Sequence, residues 1–214
     1  MDKNNWLIPP NEWQFIDPTN GFIFPWLTLD FLEHLMTFDM SRWRIFEAGG
    51  GAGTLWWANK CKEIVTLETD KDWLDKICDF AKRKGLYNID YNLVEPNLYQ
   101  NPVKAYLDIL EKQQHKFDLL LIDGIYRNQL ATIAEPHIKD GGLLVVDNYL
   151  QEEVRSIMDY AEVLNSKYSI KIFKHSPILN PEEHPWVWNG NKIHFDKLKQ
   201  GHPHWKTAYW KIER

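Results

Sequence analysis

One segment constrains this chain more than any other. Residues 45–54 read Ile-Phe-Glu-Ala-Gly-Gly-Gly-Ala-Gly-Thr. A short apolar strand (Trp43, Ile45, Phe46) runs into glycines at 49, 50, 51 and 53 and then into a helical stretch at 55–60; a second strand at 64–67 ends on Glu68. Strand, glycine turn, helix, strand, acid is the order of a nucleotide-binding βαβ unit. Glycine lets the turn take positive φ and lets a ligand approach bare backbone. A carboxylate at the tip of the second strand can accept hydrogen bonds from both hydroxyls of a ribose.

Spacing narrows the cofactor. A dinucleotide fingerprint is Gly-x-Gly-x-x-Gly. Counted from Gly49 the sixth position is Thr54, and counted from Gly51 it is Trp56. The pattern that fits is Glu47-x-Gly49-x-Gly51-x-Gly53. It resembles the first motif of the Rossmann-like (class I) S-adenosylmethionine (SAM) methyltransferases, and Glu68 stands where that family places its ribose-binding acid. The motif follows a helical lead-in at 1–40, as it often does in that family. The lead-in is expected near the cofactor mouth, as a lid.

The remaining chain alternates in the same rhythm. Pro25 suits the first turn of a helix over 26–36, with one apolar face at 27, 31, 32, 35 and 36. Asp70 suits the N-cap of a helix reaching Arg83, and Gly85 its C-terminal stop. A third strand is expected at 91–94 and a helix at 103–111. The run 117–122, between glutamine-rich polar sequence and Asp123-Gly124, is continuously apolar apart from Asp118, as in a strand buried on both faces. A helix over 129–138, a turn at 140–142, a buried strand at 143–146, a helix over 151–165 and strands at 169–174 and 207–212 complete the pattern. This implies an α/β fold: a doubly wound, mostly parallel seven-stranded sheet with helices on both faces, one domain spanning 1–214. The segment 175–204 reads as a long substrate-side loop. Glu47, Glu68, Asp123, Asp147 and Asn148 all fall at strand carboxyl ends, where ligands bind in such sheets.

The methyltransferase resemblance covers roughly residues 43–212 and implies roles for these positions. Gly49, Gly51 and Gly53 would form the close backbone wall, Glu47 would meet the methionine end, and Glu68 the ribose. Val94, Glu95 and Pro96 would border the adenine, although the family often shows Gly-Asp-Ala there. Asp123-Gly124-Ile125-Tyr126 and Asp147-Asn148-Tyr149 are similar to motifs of metal-dependent O-methyltransferases of the catechol and macrocin types. That likeness implies Asp123, Asp147 and Asn148 as ligands of Mg²⁺, and a small-molecule or sugar acceptor. Three hard oxygen ligands suit such an ion, which would lower the pKa of an acceptor hydroxyl. Where the catechol type has a base lysine this chain has Tyr126, so the proton falls to Asp123, to a loop histidine or to the metal. In a metal-free relative, Asp123 would contact the cofactor amine and Asp147-Asn148 would cap a helix.

Bulk properties exclude other classes. A net charge of −5 argues against nucleic acid as the main partner. No apolar run is long enough to span a bilayer, so a cytoplasmic protein without a membrane partner is expected; a homodimer stays open. Cys61 and Cys78 fit no metal or disulfide spacing. Eleven tryptophans, four of them at 186, 188, 205 and 210, read as packing ahead of an aromatic substrate wall. An aminopropyl transferase of related fold, another nucleotide-cofactor enzyme, and a non-catalytic SAM-binding protein remain as alternatives.

Overall fold

The computed structural model describes residues 7, 16–17, 19–95, 101–149, 157–175 and 202–214. Seven strands form one sheet in the order β3-β2-β1-β4-β5-β7-β6. They are β1 (Arg44–Ala48), β2 (Glu63–Glu68), β3 (Ile89–Leu93), β4 (Phe117–Ile122), β5 (Ile138–Asp147), β6 (Ile170–His175) and β7 (His202–Lys211). All pairings from β3 across to β5 are parallel. β7 enters between β5 and β6 antiparallel to both, so the sheet is mixed at that edge.

Alternation along β4 shows why the sheet needs helices on both faces. Leu119 and Leu121 join a core cluster on one side, Leu120 and Ile122 the cluster on the other. The first cluster holds α1 (Leu29–Leu35), α2 (Ala52–Lys60) and α3 (Lys71–Arg83); the second holds α4 (Pro102–Glu111), α5 (Arg127–Ala134) and α6 (Ile157–Lys167). Truncating any of these fully buried leucines to alanine removes core volume worth about 2–5 kcal/mol.

Several boundaries differ from the sequence reading for local reasons. The lead-in helix begins at Leu29, because Thr28 is extended (φ −61°, ψ 144°); Pro25 sits before it in a tight turn closed by Leu27 N–H donating to Pro25 O. The described lead-in packs against the sheet. Leu27, Phe31, Leu32 and Leu35 are buried in the first core, and Thr28 N–H donates to Thr207 Oγ1 at 3.1 Å. Asp17, wholly buried, accepts from Trp56 Nε1 and pairs with Lys60 of α2, both at 2.9 Å. Burial pushes the Asp17 carboxyl up, but Lys60, Thr19 and Trp56 outweigh it and hold it below its ordinary value.

The 140–142 turn lies inside one strand. β5 spans it with a register shift against β4, and Gly141 takes φ +76°. α5 starts at Arg127, earlier than expected, and ends in a 3-10 turn at Glu135–His137. Asp70 does cap α3, accepting from Trp73 N–H, and Gly85 follows with φ +71°. Most of the 175–204 loop, with Trp186, Trp188, His184 and His194, and also residues 96–100 and 151–156, lies outside the described residues.

Candidate active site

The chain leaves β1 for β2 on one side and returns through β4 on the other, so β1 and β4 meet at a topological switch point. Open α/β sheets bind ligands there, beyond the strand carboxyl ends. A cavity of about 820 Å³ opens at this point, lined from β1 by Glu47 and 49–53, from β2 by Leu67 and Glu68, and from beyond β4 by 123–127. Pro25 and Trp26 of the lead-in, Trp73 of α3 and Tyr106 of α4 close its walls. Its size lies within the range of small-molecule and cofactor sites.

The glycine turn is shaped by its neighbours as much as by any ligand. Gly49 takes φ +102°, and a Cβ there would stand 2.7 Å from Gly124 N and 2.8 Å from Asp123 O. Only glycine lets the tips of β1 and β4 approach so closely. Gly53 is set by the lead-in: its missing Cβ would meet Pro25 Cα at 2.9 Å. Gly51 faces open space, with nothing within 4 Å of an added Cβ. Leu67 O accepts from both Gly49 and Gly50 N–H, Thr54 Oγ1 accepts from Gly51 N–H, and Trp73 Nε1 donates to Gly50 O. Ala52 and Gly53, the first residues of α2, line the cavity.

Glu47 is 3 % exposed. Its Oε2 accepts from Thr54 Oγ1 at 2.5 Å and from Thr66 Oγ1 at 2.9 Å. Burial pushes the carboxyl up to about 7, with Glu68 adding to the rise and the two threonines opposing it. Glu68 is more open. Its Oε1 accepts from Thr69 N–H, Thr69 Oγ1 and Asp70 N–H, which fixes the carboxylate across the β2–α3 turn and leaves the Oε2 edge for a ligand. Glu95 is not among the residues that line the cavity; the structure places it past the end of β3, in the field of Lys71.

At the tips of β4 and β5 the structure places a residue that the sequence reading passed over. Arg127, the first residue of α5, inserts its guanidinium among Asp123, Asp147 and Asn148. Its Nη2 pairs with Asp123 Oδ1 at 3.0 Å and donates to Asp123 O at 3.2 Å. Nη1 donates to Asp147 O at 2.9 Å and to Asn148 Oδ1, while Nε donates to Gly124 O at 2.8 Å. The Asp147 carboxylate is 2 % exposed and accepts from Thr207 Oγ1 at 2.5 Å. Burial, and then the nearby Asp147, push the Asp123 carboxyl well above the usual range, against the pull of Arg127.

The three residues therefore do not fit a divalent metal: a cation of the chain already fills the space between them. Among the described residues no group of three or more His, Cys, Asp or Glu side chains converges on a metal position. Asp123 i to Arg127 i+4 was the one trace of this pairing in the sequence. Trp73 and Tyr106, which line the cavity, and Thr54 and Thr66, which donate to Glu47, were also missed, because each comes from a different element.

Comparison with known proteins gives the fold a class. No protein-family model matches the chain, and no curated protein matches it in sequence. An rRNA methylase from Streptococcus thermophilus superposes with a TM-score of 0.59 at 11% identity, over 85% of this chain and 93% of that one. An O-methyltransferase from Bacillus cereus, in complex with SAH, gives 0.58 at 16%, over 85% and 79%. The precorrin 8w decarboxylase of Methanobacterium thermoautotrophicum gives 0.56 at 15%, over 95% and 99%. The fold is that of the Rossmann-like SAM-dependent methyltransferases, as the glycine motif implied.

Proposed function

We propose that the protein is a SAM-dependent methyltransferase that methylates a hydroxyl of a small molecule or sugar. The observation that carries this reading is the cavity at the β1/β4 switch point, walled by the Glu47–Gly53 motif and bordered by Glu68. The residues present fit the cofactor. Open space at Gly51 admits it against the backbone, and the Oε2 edge of Glu68 suits a ribose hydroxyl. Glu47 supplies negative potential for the cationic methionine end of the cofactor. When bound, SAM supplies a methyl group on a positively charged sulfur.

An acceptor hydroxyl would have to be aligned with that methyl group and give up its proton to a base of the chain. The chain's part is alignment and proton acceptance. Asp123, held by Arg127 at the cavity wall, is the carboxylate placed for that role. Trp26, half exposed, and Ile125, 44% exposed, present apolar surface at the rim, suited to an acceptor with an apolar face. Net charge −5 supports a small acceptor over RNA, even though an rRNA methylase shares the fold.

Among the described residues no helix is long and apolar enough to cross a membrane. A cytoplasmic location and a homodimer stand as parts of this proposal, to be checked by fractionation and by light scattering.

Calorimetric titration with SAM, with NAD as control, tests the reading. Saturable SAM binding without NAD binding is expected, followed by methyl transfer to hydroxylated acceptors and none to an RNA arm of the same assay. NAD binding, or no binding of either, overturns it; transfer to RNA replaces the acceptor class.

A further inference from the structure

We infer that Arg127 is a built-in cation that stands in place of a divalent metal, holding the tips of β4 and β5 together and positioning the Asp123 carboxylate at the cavity wall without any added ion. This rests on the methyltransferase reading for the meaning of the site, but its geometry stands apart from that reading.

A guanidinium carries five N–H donors in a rigid planar fork. Here five oxygens surround it: the carbonyls of Asp123, Gly124 and Asp147 and the Asn148 side chain accept hydrogen bonds, and the Asp123 carboxylate pairs with it at 3.0 Å. Carbonyl, carboxylate and amide oxygens gathered on one centre are the donor set that a hard divalent cation uses. The backbone is bent to make this set. Tyr126, immediately before Arg127, takes φ 59°, and Asn148 takes φ 57°. These are the only non-glycine residues with positive φ among the described residues, and both flank the guanidinium. A left-handed tyrosine persists only where its surroundings over-determine it.

Four hydrogen bonds and the ion pair turn the guanidinium inward onto the chain. Its role is positioning. It fixes the carboxylate that would otherwise face Asp147 and Glu47 with no counter-charge. A lysine offers a point charge and cannot span the same five oxygens.

The full-length chain tests this in two arms. In the first, Mn²⁺ is titrated against the wild-type protein without cofactor, followed by its paramagnetic signal. No saturable Mn²⁺ binding is expected. Binding that Asp123→Asn abolishes overturns the inference, whatever the outcome with SAM.

In the second arm, Arg127→Lys and Arg127→Ala are compared with wild type for SAM affinity, turnover and its pH profile. Expected are unchanged SAM affinity and a turnover loss of about 100-fold, the scale of a misplaced reacting group. Partial recovery of Arg127→Ala by dilute guanidinium ion, but not by tetramethylammonium or Mg²⁺, is also expected. Full turnover in Arg127→Ala, or wild-type turnover that EDTA abolishes, overturns the inference. Failure of wild type to bind SAM overturns the underlying function, while the Mn²⁺ arm still decides the place of the cation.

Discussion

Two carboxylates at neighbouring strand tips are treated in opposite ways. Glu47, at the end of β1, is buried against two threonine hydroxyls, and among the described residues no arginine or lysine pairs with it. Asp123, at the end of β4, has its own arginine, locked by four further oxygens. The first is an unbalanced negative site whose ionisation becomes favourable only when a cation arrives. The second is balanced by the chain itself. One cavity thus holds a position prepared for a charged ligand and a position already closed to one. On the proposed function, the cationic end of the cofactor belongs at the β1 tip, and the β4–β5 tips form the facing wall.

The sharpest way to break the comparison is to separate its two halves. They touch at Gly49 and Gly124, where a Cβ on Gly49 would lie 2.7 Å from a backbone nitrogen and the backbone is left-handed. Gly49→Ala is expected to cost about 3–5 kcal/mol, combining overpacking with a strained φ, and chemical denaturation measures it. A loss under 1 kcal/mol, within the scatter of ordinary surface changes, would mean that the tips are not tightly apposed.

The next change isolates the Glu47 charge. The folded state holds its proton up to about 7, against an ordinary value of 4.5. Stability from this group is therefore fully present below 4.5 and is lost as pH rises to about 7. Glu47→Gln keeps an oxygen for both threonines and cannot ionise. The stability difference between variant and wild type should grow by about 3 kcal/mol in favour of the variant across that window, read by denaturant titrations at several pH values. Parallel curves would show that Glu47 is ionised in the free protein. On the proposed function, SAM affinity of wild type should also weaken as pH falls below 7, by up to about tenfold per pH unit, and this slope should vanish in Glu47→Gln.

A smaller effect is expected at Thr66. Thr66→Val keeps the shape but removes one of the two donors to Glu47 Oε2. About 1–2 kcal/mol should be lost, more above pH 7 than below, because a charged acceptor loses more than a neutral one. An equal loss at both pH values would place the cost in packing. Smallest is Glu68→Gln, at a carboxylate already steadied by three donors. SAM binding should weaken about tenfold with no new pH dependence, as a charge-assisted hydrogen bond becomes a neutral one. An unchanged affinity would remove Glu68 from the ribose.

Much of the fold was legible because its signals are local. The glycine turn, the acid at the end of β2, the Asp70 cap and the buried run of β4 each depend on residues adjacent in the chain. The strand tips could be located from the same runs, so Glu47, Glu68, Asp123 and Asp147 were found at the cavity or beside it. Arg127 was not, since nothing in Tyr126-Arg127-Asn128 signals that a left-handed tyrosine turns the guanidinium back onto two strand ends. Gly53 lines the cavity and also packs against Pro25, a partner from the lead-in that its own segment does not signal.

By itself the sequence determined the order of strands and helices, which faces are apolar, and that acids gather at the carboxyl ends, because period and turn chemistry are properties of short stretches. Only the tertiary structure decided which acid is neutralised and by what. Charge balance in a buried site depends on distances between segments that the chain brings together from far apart, as the 3.0 Å pair of Arg127 with Asp123 shows.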